Sequence, residues 1–246
     1  MKYSALKLTM ALAIGSLSAF TSNVMAEESA LTQQEFNQML IKAFEDNPEF
    51  LIKGIENVRT YSQEMKMKRF SDALYHDADS PVLNNAGEIT VVEFFDYNCG
   101  YCKRSSEELS PLIGKDKRIR FVYKDVAILG ANSTELAKIA IAVGQISPNS
   151  YPAFHKELMS MDRATPEKAI GLAEMVGVSE EKIKSLMESG KVDSILAKNN
   201  QLFRDLGLTG TPTFYIGTKK VGGAISRSAL QSEVATQHQA LMAKKN

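Results

Sequence analysis

One stretch restricts the fold more than any other. Residues 89–96 read Ile-Thr-Val-Val-Glu-Phe-Phe-Asp, and Cys99-Gly100-Tyr101-Cys102 follows almost at once. The first eight residues are β-rich and nearly continuously apolar, as expected of a strand buried on both faces. A polar-charged helix is expected over 103–112, and a second strand over 118–124 (RIRFVYK). Helical stretches follow near 133–146, 151–161, 166–176 and 179–206, the last broken near Gly190. Thr211 to Ile216 reads as a short strand, 217–223 as a turn and return strand, and 226–243 as a closing helix. A helical block between two α/β halves is an α/β layout, and the helix joining the first two strands suits a right-handed parallel crossover.

The start of the chain reads differently. Lys2 and Lys7 precede an apolar run from Leu8 to Phe20, and Val24-Met25-Ala26 has cleavable character. This is the pattern of a secretory signal cut after Ala26; a membrane anchor is the alternative, and the run is short for one. The whole chain carries 29 basic and 29 acidic side chains. Removing the signal loses two lysines, leaving 27 basic against 29 acidic. Such a balance argues against a nucleic-acid binder held by phosphate contacts. Export leads to an oxidising compartment, expected to be the periplasm.

Residues 27–75 read as helical. Thr32 and Glu35 form a capping box ahead of Phe36, Met39, Leu40, Ala43 and Phe44. After Asn47-Pro48 a long helix carries Leu51, Ile55, Val58 and Met65 at coiled-coil-like spacing, interrupted at Ser62. Its stripe needs a partner: a second copy is the expected one, and folding back onto its own domain is the alternative. The polar joint at 76–80 separates this segment from the domain at 81–246, whose helical insertion is expected at about 133–206.

In the first turn of a helix, positions i and i+3 share a face, close enough for a disulfide. Cys99 stands where a strand ends and a helix begins, so unpaired N–H groups and the helix dipole favour its thiolate. Cys102 lies one turn deeper. A structural disulfide and half of a zinc site are alternatives. The first would constrain only a short loop, and for the second His76, His155 and His238 lack metal-type spacing. Pro212 opens a strand, where it cannot donate to a ladder. A cis Thr211–Pro212 bond explains it; a trans proline on an edge strand is the alternative.

The segments VVEFFDYNCGYCKR and GTPTFYIG, in this order, resemble the thioredoxin superfamily in its DsbA-like branch, over about residues 81–243. The resemblance implies a thioredoxin fold, Pro212 in cis facing the cysteines, and dithiol–disulfide exchange on protein substrates. It further implies that Cys99 attacks and Cys102 resolves, with no cofactor beyond this redox-active pair. Glu93 occupies the family's acidic position beneath the site, where burial would raise its pKa and let it relay a proton with Cys102. A solvated strand carboxylate is the alternative, and Lys124 is its candidate partner. Asp96 would oppose the thiolate if close, and Tyr101 is read as a substrate-facing surface.

Gly100-Tyr101 between the cysteines and Thr211 before the proline depart from the Pro-His and Val of DsbA-type oxidases and are similar to DsbC-type isomerases. With the helical extension, the chain resembles the ScsC-type and Com1-type proteins, members of which form dimers or trimers. This implies an oligomeric periplasmic isomerase or reductase, supplied with electrons by a DsbD-like or ScsB-like membrane reductase. A DsbA-like oxidase and a copper-binding thiol protein are the competing readings; soft thiolates select Cu(I).

Overall fold

A computed structural model describes residues 31–245. The expected signal segment therefore lies outside the described residues. Two compact units divide the chain between Ile55 and Glu56.

The first unit contains α1 (Gln33–Asp46) and the start of α2 (Pro48–Tyr75). The capping box forms: Thr32 Oγ1 accepts from the Glu35 N–H, and the Thr32 N–H donates to the Glu35 carboxylate. Phe36, Met39, Ile41, Phe50, Leu51 and Ile52 are all exposed.

The second unit is built on a five-stranded sheet. Its strands are β1 (Val82–Leu83), β2 (Ile89–Phe95), β3 (Ile119–Asp125), β4 (Thr213–Ile216) and β5 (Lys219–Gly222), in spatial order β1-β3-β2-β4-β5. Strands β2 and β3 run parallel and the other pairs antiparallel. Helix α3 (Gly100–Leu109) makes the crossover between β2 and β3. Five helices fill the connection from β3 to β4: α4 (Ala131–Ile146), α5 (Tyr151–Ser160), α6 (Pro166–Met175), α7 (Glu180–Glu188) and α8 (Lys191–Asp205). Helix α9 (Arg227–Lys245) closes the chain. This is the thioredoxin arrangement with a helical insertion that the resemblance implies.

The apolar run of β2 is explained by its two faces. Val91 and Phe95 join the core shared with α3 to α9. Val92 and Phe94 join a second core with Val122, Leu202, Phe203 and Tyr215. The second core also contains Met67 and Leu74, with Phe70 and Ala73 packed against it. The end of α2 therefore covers one face of the sheet. The extension was expected to end at the polar joint; instead the division falls inside α2, because the sheet's second face needs an apolar cover.

The joint itself is pinned. Asp77 accepts from Lys124 and from Lys198, each at 2.7 Å, and Lys198 also reaches Asp79. Lys124 is fully buried. Burial alone would push the Asp77 carboxyl up, but the two lysines hold it down at about 2. The suggested Glu93–Lys124 pair is thus corrected. Glu93 is in register with Tyr123, so Lys124 projects from the opposite face of the sheet.

Candidate active site

The site assembles at the C-terminal end of β2. Asp96 staples the loop that leaves the strand. Its carboxylate accepts from the Asn98 N–H (2.8 Å), the Ser133 hydroxyl (2.7 Å) and the Ile128 and Leu129 N–H groups (2.9 and 3.2 Å). Asp96 is thereby spent on tying this loop to the one after β3, and is no counter-charge aimed at the thiol.

Cys99 then occupies the N-cap of α3 in extended conformation. When protonated, its thiol donates to the Thr211 carbonyl at 3.2 Å. The Thr211–Pro212 peptide is cis. Strand β4 pairs antiparallel with β2, which brings this loop from the far end of the sequence against the cysteines. Cys99 is 8% exposed and Cys102 is fully buried, and both are free thiols.

The two sulfurs differ sharply in acidity. A hydrogen bond from the Cys102 thiol is the largest influence holding Cys99 down at about 5. The Thr211 side chain and the Cys102 and Tyr101 N–H groups add to it, against the opposing effect of burial. These N–H groups belong to the helix's first turn, which has no intrahelical acceptor for them. Cys102 is pushed far up, first by burial, then by the bond it gives to Cys99, then by the charge of Glu93.

Glu93 is 2% exposed. Burial raises its carboxyl to about 8, and the negative charge of Cys99 adds to the rise. Its Oε1 has no hydrogen-bond partner among the described residues. A cleft of about 290 Å³ reaches Glu93 past Ser106, Ser110 and Lys156.

Some buried polar groups near the site were not anticipated. Asp125, at the end of β3, accepts from the Tyr151 hydroxyl at 2.9 Å, and burial raises its pKa to about 7. Tyr97 contacts His155 Nδ1 at 3.2 Å, and burial holds His155 down at about 3, a neutral imidazole. The available signal was an acidic residue ending the strand beside β2, but its neighbours come from α5 and cannot be read locally.

Gly100 and Tyr101 are exposed, and the Arg104 guanidinium lies 4.4 Å above the Tyr101 ring. Two clefts flank the cysteine turn. One, of about 690 Å³, is bounded by Gly100, Lys103, Glu107 and Asp162. The other, of about 560 Å³, runs along Tyr101, Gly207, Thr211 and Lys220. Both thiols, Glu93, Thr211 and Pro212 are thus brought together, with Gly100 and Tyr101 at the rim.

The geometry agrees with the comparisons. Disulfide bond formation protein D of Bacillus subtilis is 29% identical over 153 residues, covering 57% of this chain and 69% of that protein. A thioredoxin-like oxidoreductase from Silicibacter pomeroyi superposes with a TM-score of 0.62 at 37% identity, over 68% of this chain and 97% of that one. A linker-deleted mutant of ScsC from Proteus mirabilis gives 0.67 at 25% identity, over 87% and 99%. The profile of the DSBA-like thioredoxin domain matches residues 90–235, and the chain belongs to that family.

Proposed function

We propose that this thiol–disulfide oxidoreductase is an oligomeric isomerase or reductase of protein disulfides, working in the periplasm. The carrying observation is Cys99 at the N-cap of α3 against the Thr211 carbonyl, with Cys102 fully buried one turn deeper, so that the two sulfurs differ in acidity. At neutral pH Cys99 is a thiolate and Cys102 keeps its proton.

The Cys99 thiolate attacks one sulfur of a substrate disulfide. A mixed disulfide forms, the substrate S–S bond breaks, and the second substrate sulfur leaves as thiolate. For isomerisation, a different substrate thiolate then attacks the substrate sulfur bonded to Cys99, a new substrate disulfide forms, and Cys99 is expelled as thiolate. For reduction, Cys102 attacks Cys99, releases the reduced substrate, and leaves a Cys99–Cys102 disulfide that an external dithiol must reduce. A membrane-embedded thiol reductase is the proposed donor. Glu93 serves the second branch. Once Cys99 is in the mixed disulfide its charge is gone, so Glu93 ionises more readily and takes the Cys102 proton.

Two features support isomerisation over oxidation. No histidine stands between the cysteines, and threonine precedes Pro212. Exposed apolar side chains from Phe36 to Met65 support self-association, which would raise the effective concentration of active sites on one misfolded substrate. One observation favours a dithiol oxidase instead: a Cys99 pKa near 5 stabilises the reduced form and makes the pair more oxidising. Reactivation of scrambled ribonuclease in a glutathione buffer decides. Strong reactivation supports the isomerase; its absence, with rapid oxidation of reduced ribonuclease, makes the protein an oxidase.

A further inference from the structure

The cleft along Thr211 borders a second one. Lys220 on β5 lines both, and the second, of about 320 Å³, lies between α2 and the sheet. Lys220 is in register with Tyr215, which forms part of that second cleft. Arg59 and Lys66 of α2 complete the wall, and the Lys66 Nζ would lie 3.7 Å from a Cβ placed on Gly207. The two clefts therefore adjoin at Lys220, one beside the Thr211 loop that touches Cys99 and the other against α2.

Its charge is one-sided. Arg59, Lys66 and Lys220 are exposed, and neither cleft is lined by an Asp or Glu. None of the three makes a salt bridge among the described residues. The cleft on the other flank of α3 carries both signs, with Lys103, Arg104 and Lys156 facing Glu107 and Asp162. In a chain with equal numbers of acidic and basic side chains, this concentration of unpaired cations is a local feature.

We infer that these adjoining clefts select extended substrate segments bearing carboxylates on one side of the target cysteine, with Arg59, Lys66 and Lys220 as the specificity-determining residues. The inference rests on the oxidoreductase reading above. Exposed cations attract a passing acidic chain mainly in the encounter step, so the preference must weaken with salt.

The test uses two soluble decapeptides with one cysteine capped by mercaptoethanol. One carries glutamates and the other lysines on the same side of that cysteine, and each is also made with the charges on the opposite side. Each rate with the reduced protein is divided by that disulfide's rate with dithiothreitol, which removes intrinsic reactivity. For one placement of the charges, the glutamate peptide should react about 3- to 10-fold faster than its lysine counterpart at low salt. This ratio should fall towards one near ~0.5 M salt, where screening acts within a few ångströms. The triple variant Arg59→Glu, Lys66→Glu, Lys220→Glu should invert it. Should that variant misfold, Lys220→Gln on the exposed edge strand should lower the ratio. Equal rates in both placements, or a ratio unmoved by the substitutions, would overturn the inference. Failure of the wild-type protein to reduce hydroxyethyl disulfide would instead remove the oxidoreductase reading, and this inference with it.

Discussion

Ionising one sulfur while its neighbour keeps a proton demands opposite surroundings, and a single helical turn separates Cys99 from Cys102. The N-cap position supplies donors to the first, and the core denies solvent to the second. Alkylation of reduced Cys99 by iodoacetamide should therefore stay nearly constant from pH 8 to pH 6 and fall about tenfold per unit below pH 5. A midpoint above pH 8 would contradict the site. Cys99→Ala should abolish turnover, and Cys102→Ala should accumulate mixed disulfides visible on non-reducing gels.

Glu93 has a measurable effect on stability. Its folded pKa is raised, so its contribution is complete below the unfolded value near 4.5 and is lost as pH rises through about 8. Glu93→Gln should flatten the fall in melting temperature across that window and leave the protein more stable than wild type at pH 8. It should also slow the Cys102-dependent step while sparing attack by Cys99. An unchanged pH–stability profile would place the carboxyl in water.

At the scale of elements, the cover on the sheet's second face is the feature most open to test. Leu74 is fully buried there, and Leu74→Ala should cost about 2–5 kcal/mol in urea unfolding. Asp77→Ala would strand the buried Lys124 charge, at about 3–5 kcal/mol, and adding Lys124→Met should recover much of it. The sequence made some elements plain and hid others for physical reasons. β2 was legible because burial on both faces leaves an unbroken apolar run, and α1 because its cap is written in Thr32 and Glu35. β1 has only two residues, too few to show a period. The end of α2 read like the rest of that helix, since what distinguishes Met67 and Leu74 is a sheet far along the chain. The partner of Lys124, for which Glu93 was only one candidate, was hidden for a similar reason: its face depends on register, which a single strand does not reveal.

For the whole molecule, the position of the covering turns changes how the extension should be removed. A chain beginning at Glu56 retains Met67, Phe70 and Leu74 and should stay folded and reduce disulfides. By sedimentation it should be monomeric if residues before it hold the oligomer. A chain beginning at His76 exposes Val92, Phe94 and Val122 and should unfold at a much lower denaturant concentration. Equal stability of the two truncations would contradict the cover. The site was far more legible than this arrangement. Two short motifs, Cys-Gly-Tyr-Cys and Thr-Pro, each carry their own stereochemical demand. The cluster of Asp125, Tyr97, Tyr151 and His155 carries none that can be read locally, since it forms only when α5 docks on the ends of β2 and β3.

The ion-paired joint also bears on the order in which the chain is made. A polypeptide emerging from its amino end presents Asp77 before β3 exists. When Lys124 arrives, the carboxylate it requires is already waiting, and Lys198 follows to complete the cluster. A sheet assembling in that sequence never has to bury an unmatched cation while the rest of the chain is still to come.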